Sequence, residues 1–322
     1  MSSFTLSSGY EMPQVGFGAW KVNNDTCAQT IYDAIAAGYR LIDGAQDYGN
    51  EKECGQGLAR AIADGIVTRD QIFITTKVWN SFHQYYHALA SVERSLRDWG
   101  LDYFDLVLIH FPIALKYVDP IDRYPPGLLY NEESKTMALE PVPLAETWSA
   151  LEKLVNDKKV RSIGVSNFNG GLLQDIYNTA KIKPSVLQIE HHPYLTQPII
   201  ISLCKKLNIQ ITAYSTFGPQ SFVELDHPKV KQCVRLLEHD LIKTVADKHQ
   251  KSPAQVILRW ATQRGIAVIP KSNNKDRLTS NLKSTDFDLS DNELKQISDL
   301  DIGLRFNDPI DWPSETPLAI FH

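Results

Sequence analysis

The sequence is poor in cysteine and lacks any long apolar run. Its four cysteines form no CxxC pair, so free thiols in a reducing compartment are expected rather than a zinc or redox motif. No apolar segment is long enough to span a bilayer. The opening "MSSFTLSSGYEMP" has neither the basic nor the apolar region of a secretory signal, so we predict a cytoplasmic protein with no membrane partner.

The balance of charge is only mildly acidic, and basic residues are not in excess. A net charge of −5 over 322 residues gives no basic surface for nucleic acid, which excludes nucleic acid as a predicted partner. With 43% hydrophobic residues the chain can bury a large core. No break in composition marks a boundary, so a single domain over residues 1–322 is predicted.

Familiar mechanistic motifs are absent too. There is no GxxxxGK[ST] and no HExxH, and "GFGAWK" and "GQGLAR" carry Lys21 and Arg60 at the third glycine of GxGxxG. A P-loop, a zincin and a Rossmann fingerprint are thereby excluded. His83 and His87 have i,i+4 spacing without an acidic or cysteine partner nearby, so no metal site is predicted.

One unit recurs along the sequence, in which a continuously apolar run is followed by a loop and an amphipathic helical segment. Apolar strands of this kind are typical of a parallel sheet buried on both faces. The units number about eight, which predicts an α/β protein with a (β/α)8 TIM barrel, and a doubly wound open sheet is the competing arrangement. The candidate strands are 15–20, 39–43, 72–77, 104–110, 160–166, 185–190, 209–215 and 266–271.

Other segments refine this architecture. Ser8-Gly9 predicts the turn of an N-terminal β-hairpin. Residues 112–143 and 216–239 are long loops after the fourth and seventh strands, at the end of a barrel where active sites form.

Polar residues follow the second, third and fourth strands. Asp43 and Tyr48 follow "YRLI", Lys77 ends "IFITTK" and His110 ends "FDLVLIH". Because strand ends converge, we predict that Asp43 neutralises Lys77 and that the cation lowers the pKa of Tyr48 toward neutral pH. His110 would then orient a carbonyl oxygen. The alternative is a buried ion pair beside a tyrosine and a histidine that serve only packing.

The later strands end in a different set of residues. Ser166, Asn167 and Gln188 can hold a carboxamide, and the ring of Tyr214 can stack on a flat heterocycle. After the eighth strand, cations and hydroxyls near a helix N-terminus predict an anion site, most simply for phosphate. The alternative there is a capped helix with solvated side chains. The anion-site residues are Lys271, Ser272, Asn273, Arg277 and Asn281.

These motifs resemble a known family. "DGAQDYGNE", "TTKVW", "LIHFP", "GVSNF", "QIEHHPY", "AYS" and "IPKS" occur in the order seen in the aldo-keto reductases, across essentially the whole sequence. "HFPIALKYV", "YSTFGPQSFVE" and "LDIGLRFNDP" are similar to the yeast and fungal xylose reductases of that family.

The resemblance implies a (β/α)8 barrel that binds NADPH in extended form. It implies Tyr48 as general acid, tuned by Lys77 and Asp43, with His110 orienting the substrate. It also implies NADH use, because Glu224 matches an acid that holds the ribose hydroxyls of NADH in some xylose reductases. The implied cofactor residues are Ser166, Asn167, Gln188, Tyr214, Ser215, Phe217, Glu224, Lys271, Ser272, Asn273, Arg277 and Asn281, and the implied substrate residues are Trp20, Asp47, Trp79, His110, Phe111 and Asn307, with Trp312 a further candidate.

The predicted function is NAD(P)H-dependent reduction of D-xylose, in its linear aldehyde form, to xylitol. Two alternatives stay open: reduction of another small carbonyl such as glyceraldehyde or another pentose, and a non-catalytic NADPH-binding regulatory module. The predicted partner is a small aldose, and a homodimer is common among similar proteins. The sequence leaves open the ratio of NADPH to NADH use, the physiological substrate, the oligomeric state and the role of the divergent 130–140 loop.

Overall fold

A parallel β-sheet surrounded by helices forms the body of the molecule. The computed structural model describes residues 2–131, 133, 135–313 and 318–321. Ten strands are present in these residues. They are β1 (Ser3–Thr5), β2 (Glu11–Pro13), β3 (Phe17–Gly18), β4 (Leu41–Asp43), β5 (Phe73–Val78), β6 (Phe104–Ile109), β7 (Val160–Ser166), β8 (Val186–Glu190), β9 (Gln210–Tyr214) and β10 (Ala267–Val268).

Strands β3 to β10 form one sheet in which every neighbouring pair is parallel and adjacent in sequence. The sheet curls until its two edges meet. The N–H of Gly16 donates to the carbonyl oxygen of Val268 at 2.8 Å, and that of Gly18 donates to Pro270 at 3.2 Å. This arrangement is consistent with the predicted barrel and argues against the open doubly wound sheet.

The predicted strands match the observed ones to within a few residues, and the two outermost strands show the largest difference. Strands β3 and β10 hold only two residues each, although six were predicted for both. Pro270 has no N–H to donate, so the ladder of the last strand cannot continue through it. Every residue of the four strands β4, β5, β6 and β8 is buried, as expected for a sheet covered on both faces.

Ten α-helices in the described residues connect and cover the strands. In the first, the side chain of Asn23 caps the N-terminus, and Gly38 ends the helix in the left-handed conformation that glycine adopts freely. Its predicted apolar face, which includes Cys27 and Ile31, is fully buried. The helices are α1 (Asn24–Ala37), α2 (Glu51–Ala63), α3 (Tyr85–Trp99), α4 (Leu144–Asn156), α5 (Gly170–Thr179), α6 (Pro198–Leu207), α7 (Asp240–His249), α8 (Pro253–Gln263), α9 (Lys275–Leu282) and α10 (Asp291–Ser298).

The N-terminal hairpin of β1 and β2 closes the end of the sheet at which the strands begin. Its two strands are antiparallel, as predicted, and its turn contains Gly9 at φ +87°. Leu6 and Met12 of the hairpin pack on Leu41, Phe73 and Leu106, which line the inside of the sheet. The opposite end, where the strands terminate, is therefore the one left open for a pocket.

Two long segments and the C-terminal tail surround that open end. Residues 110–143 connect β6 to α4, and residues 215–239 connect β9 to α7 through short 3₁₀ turns. The tail folds back onto the body, as the N–H of Leu304 donates to Tyr194 at 3.0 Å. No helix in the described residues is long and apolar enough to cross a membrane.

Candidate active site

The ends of β4 and β5 bring a carboxylate and an ammonium group together in the interior. Lys77 Nζ lies 2.5 Å from Asp43 Oδ1 and 2.9 Å from the carbonyl oxygen of Gly44. The Lys77 side chain is 0% exposed and that of Asp43 is 3% exposed. A charge buried this deeply is costly unless it is paired, and each residue satisfies the other.

The phenol of Tyr48 lies against this ion pair. Tyr48 sits on a 3₁₀ turn, Gln46–Tyr48, and its hydroxyl oxygen accepts a hydrogen bond from Lys77 Nζ at 3.1 Å. Gln46 secures the turn because its Oε1 accepts the N–H of Trp79 at 3.0 Å. Since the oxygen of Tyr48 is an acceptor toward Lys77, its own proton is free to be donated into the pocket.

The pKa of Tyr48 shifts in the direction opposite to the sequence prediction. Loss of water around the hydroxyl, followed by the carboxylates of Asp43 and Asp47, raises the pKa of Tyr48 above its ordinary value. The prediction that Lys77 would lower this pKa toward neutrality was wrong because burial of the hydroxyl, together with the nearby carboxylates, outweighs the effect of the ammonium group. The phenol therefore stays protonated at neutral pH, and Lys77 is placed to stabilise the phenolate that forms when the proton is donated.

His110, directly after β6, lies beside the phenol. The ring centroids of Tyr48 and His110 are 5.9 Å apart. His110 Nδ1 is 3.1 Å from Asp47 Oδ1, but among the residues that the structure describes neither atom has a partner with hydrogen-bond geometry. The carbonyl oxygen of His110 accepts a hydrogen bond from Asn167 Nδ2 at 2.9 Å. The backbone of His110 is therefore fixed, while its ring nitrogen remains available for a hydrogen bond to a bound oxygen.

Aromatic side chains surround His110. Its ring centroid is 5.2 Å from those of both Trp79 and Phe111, and Phe111 lies 4.8 Å from Trp312. These four predicted residues therefore form one aromatic cluster. Trp20, the remaining predicted wall residue, is partly exposed and packs 6.0 Å from Phe222 in the loop after β9.

Side chains predicted for the cofactor, together with Asn307 predicted for the substrate, form a hydrogen-bonded network. The hydroxyl of Tyr214 donates to Asn167 Oδ1 at 2.6 Å, and Asn307 Nδ2 donates to the oxygen of Tyr214 at 3.2 Å. Gln188 Nε2 donates to Asp43 Oδ2 at 2.8 Å, and the carbonyl oxygen of Gln188 accepts the N–H of Asn167 at 3.0 Å, so Gln188 connects Asn167 with the buried ion pair. Ser166 is buried beside Asn167 and accepts from its Nδ2 at 3.2 Å.

The predicted anion cluster surrounds the start of α9. Arg277 Nε donates to Ser272 Oγ at 3.3 Å, and the N–H of Asn274 donates to the same oxygen at 3.2 Å. Among the described residues neither Lys271 nor Arg277 has a carboxylate partner. Asn273 is exposed, whereas Asn281 is buried on the inner side of the helix. Two unpaired cations beside a helix N-terminus are suited to an anion.

The loop after β9 crosses toward β3 through an ion pair. Lys21 Nζ is 3.3 Å from Glu224 Oε2 and donates to the carbonyl oxygen of Ser221 at 2.6 Å. Ser215 has φ +51°, and Phe217 begins the 3₁₀ turn Gly218–Leu225. Sequence reasoning assigned Glu224 to a ribose but missed Lys21, because residues 203 positions apart give no local signal of pairing.

Sequence reasoning also missed the buried carboxylate of Glu51. It accepts hydrogen bonds from Thr76, Ser95 and Trp99 at 2.6, 2.8 and 3.0 Å, and burial raises its pKa. Glu51 fixes the helix that follows Tyr48 against the strand that carries Lys77. Its signal was available in "DYGNEKECGQGL", where an acidic residue precedes an apolar helical face.

Comparison with known proteins shows to which family the chain belongs. A model of the Aldo/keto reductase family matches residues 14–302. The chain belongs to the aldo/keto reductase family. Its fold is also that of a solved family member, the Bombyx mori aldo-keto reductase in complex with NADP. That structure is 34% identical, has a TM-score of 0.84, and is matched over 97% of this chain and 96% of its own.

Relatives within the family include two yeast enzymes. The NADPH-dependent D-xylose reductase of Meyerozyma guilliermondii is 61% identical over 310 residues, or 96% of this chain and 98% of the relative. The NAD(P)H-dependent D-xylose reductase I,II of Candida tropicalis is 58% identical over 307 residues, or 95% of this chain and 94% of the relative. The resemblance drawn from the sequence motifs is thereby confirmed.

Proposed function

We propose that the protein is an NAD(P)H-dependent aldose reductase that converts the linear aldehyde form of D-xylose to xylitol. The observation that carries the proposal is the contact of Lys77 Nζ with both Asp43 and the Tyr48 hydroxyl, at 2.5 and 3.1 Å. Full-length relatives named as D-xylose reductases support the choice of sugar.

The residues present fit a nicotinamide dinucleotide phosphate. Lys271 and Arg277 lack carboxylate partners among the described residues and flank the buried hydroxyl of Ser272, which suits a phosphate group. Asn281 would meet the adenine. Glu224, Phe217 and Ser215 would line the middle of the dinucleotide.

At the nicotinamide end, polar side chains lie beside one flat ring. Ser166, Asn167 and Gln188 would hold the carboxamide, and the ring of Tyr214 would stack on the nicotinamide. The bound cofactor supplies the hydride. NADPH is the preferred form in this proposal because the two cations near α9 match its additional phosphate, and NADH remains usable.

Tyr48 would donate its proton to the carbonyl oxygen of the substrate. The phenolate left behind would be stabilised by Lys77, whose position is fixed by Asp43 and the carbonyl of Gly44. His110 would donate a hydrogen bond that orients the same carbonyl oxygen. Because Asp43 and Lys77 are buried and already paired before the substrate binds, little reorganisation accompanies proton transfer.

Substrate selection would depend on polar groups within an aromatic pocket. Asp47 and Asn307 would bind hydroxyl groups of the sugar, while Trp20, Trp79 and Phe111 would exclude water and contact the carbon backbone of the substrate. Trp312 would close the same wall through Phe111. A polyol aldehyde fits this combination better than an apolar ketone.

The proposal includes the setting of the site. The protein would form one domain over residues 1–322, a closed (β/α)8 barrel whose long loops after β6 and β9 shape the pocket. Its four cysteines are free thiols, which fits a cytoplasmic, reducing environment. A homodimer, common among similar proteins, would be seen by sedimentation velocity as a species of twice the mass of one protomer.

The test is the Tyr48→Phe variant, assayed for NADPH consumption with D-xylose. Removal of the acid should lower kcat by about 10²–10⁴-fold, the usual contribution of a general acid. NADPH binding, followed by quenching of tryptophan fluorescence, should stay within twofold of wild type. Tyr32→Phe, whose hydroxyl bonds to Asp64 at 2.8 Å outside the pocket, is the matched control and should keep full activity.

Two results would contradict the proposal. Near-wild-type turnover by Tyr48→Phe would show that Tyr48 is not the general acid. Tight NADPH binding by the wild type with no turnover of xylose, glyceraldehyde or another aldehyde would favour the regulatory module instead. Initial rates at matched NADPH and NADH concentrations would measure the cofactor preference in the same assay.

A further inference from the structure

A buried carboxylate outside the catalytic set binds the C-terminal tail. Glu190, the last residue of β8, is 0% exposed. Its Oε1 accepts the N–H of Phe306 at 2.9 Å and its Oε2 accepts the N–H of Asn307 at 2.8 Å. Its third partner is His192, whose Nε2 lies 2.9 Å from Oε1. None of these bonds has a role in the proton transfer described above.

The charge of Glu190 is maintained in the interior. Burial alone would raise the pKa of Glu190, but His192 and the two peptide N–H groups hold that pKa below its ordinary value. The group is therefore a carboxylate at neutral pH, with both oxygens used as acceptors. Hydrogen bonds to a charged acceptor are shorter and stronger than neutral ones, so this residue is suited to fix a backbone segment.

The segment that Glu190 holds carries a predicted substrate residue. Asn307 is partly buried, and its side chain reaches the hydroxyl oxygen of Tyr214 at 3.2 Å, which itself bonds to Asn167. No regular helix or strand contains Asn307, since it lies between Ser298 and Pro309 in an irregular segment. Its position relative to the pocket therefore depends on hydrogen bonds that other side chains make to the tail.

The other tail contacts converge on the same strand end. Arg305 donates to Gln197 Oε1 at 2.8 Å, and Gln197 Nε2 donates to the carbonyl oxygen of Glu190 at 2.6 Å. The ring of Phe306 stacks on Phe222 with centroids 5.0 Å apart. These contacts hold the neighbours of Asn307, whereas Glu190 binds the backbone N–H of Asn307 itself.

We infer that Glu190 is a positioning residue that fixes Asn307 in the pocket and thereby sets the preference for hydroxylated aldehydes over plain ones. His192 orients the Glu190 carboxylate for this purpose. The inference rests on the proposed reduction of hydroxylated aldehydes, and it adds to that proposal a residue that touches neither cofactor nor substrate.

Glyceraldehyde and propanal form the matched pair of substrates for the test. Both have three carbons and the same reacting group, and only glyceraldehyde has hydroxyls for Asn307 to bind. In Glu190→Gln, one acceptor oxygen becomes an N–H donor facing a peptide N–H. We expect the ratio of kcat/KM for glyceraldehyde to that for propanal to fall about tenfold, through KM of glyceraldehyde, while KM for NADPH stays within twofold.

A second buried glutamate serves as the control for a merely structural effect. Glu152 Oε1 accepts the N–H groups of Lys181 and Ile182 at 2.7 and 2.9 Å, but on the outer helix α4. Glu152→Gln should lower the urea midpoint without changing the substrate ratio. Asn307→Ala should reproduce the fall in the ratio, and the Glu190→Gln/Asn307→Ala double variant should be no worse than Asn307→Ala alone.

The inference is overturned if Glu190→Gln keeps the wild-type ratio. It is also overturned if the fall in the ratio caused by Glu190→Gln adds fully to the fall caused by Asn307→Ala in the double variant. If Glu190→Gln does not fold, His192→Leu is tested in its place. We then expect the substrate ratio to fall about threefold, and an unchanged ratio would contradict the inference. Turnover of D-xylose by the wild type separates the two claims. If the wild-type protein reduces glyceraldehyde but not xylose, xylose is rejected as the substrate, while the substrate ratio still tests the role of Glu190.

Discussion

The two cationic regions of the candidate site differ in whether their positive charges are buried and paired. Lys77 is fully buried and paired with Asp43 at 2.5 Å, whereas Arg277 is exposed and Lys271 partly exposed, and among described residues neither has a carboxylate partner. The first region is complete before any ligand binds. The second region has cations that remain accessible to solvent and available to an anion.

This difference predicts where each kind of change will act. A buried pair is little screened by salt, and removing one member leaves an uncompensated charge. Exposed cations are hydrated and screened, so each contributes modestly and mainly to affinity. Changes at Lys77 should therefore alter catalysis and folding together, and changes near α9 should alter cofactor binding alone.

The largest effect is expected from Lys77→Met. Loss of the ammonium group leaves Asp43 unpaired, which should reduce the free energy of unfolding by about 3–5 kcal/mol and lower kcat by at least about 10²-fold. Urea unfolding and xylose turnover measure the two effects. The Asp43→Asn/Lys77→Met double variant should recover much of the stability but none of the activity. Equal stability of Lys77→Met and wild type would contradict the assigned role of the pair.

Arg277→Ala should have the next largest effect. Removal of one of the two cations proposed to bind the additional phosphate should raise KM for NADPH about tenfold, because a charged hydrogen bond is lost, while KM for NADH changes less than twofold. Lys275→Ala is the control in the same helix because Lys275 already pairs with Asp33 at 3.1 Å. Similar losses with both cofactors would show that Arg277 does not contact the additional phosphate.

Ionic strength should separate the two regions in the unmodified protein. Raising NaCl from about 0.05 M to 0.5 M shortens the Debye length from roughly 14 Å to 4 Å, so KM for NADPH should rise a few-fold. The kcat at saturating NADPH should change little because the ion pair of Lys77 is inaccessible to salt. A parallel fall in kcat would contradict this separation.

The smallest effect is expected from pH between 6 and 8. Because the pKa of Tyr48 is raised above its ordinary value, the phenol stays protonated throughout this interval. A general acid is lost only as pH rises through its pKa, so kcat/KM for xylose should vary less than about twofold between pH 6 and 8. A steady decline there, abolished in Tyr48→Phe, would support the lowered pKa first predicted from the sequence.

Sequence alone predicted which residues meet but not how their charges balance. Asp43, Lys77 and His110 stand out because each ends an apolar run, and parallel strand ends must converge. The direction of the Tyr48 pKa shift could not be predicted, since it depends first on how far the hydroxyl is removed from water and then on how close Asp43 and Asp47 lie to it. Glu190 lies within the motif "QIEHHPY" but received no role, because its partners lie 116 and 117 residues away.

The hairpin that covers the beginning of the strands has a practical consequence. Residues 3–13 lie on the face opposite the pocket, so this end of the protein points away from the substrates. Coupling the enzyme to a solid support through its amino terminus should leave the pocket facing the flowing solution.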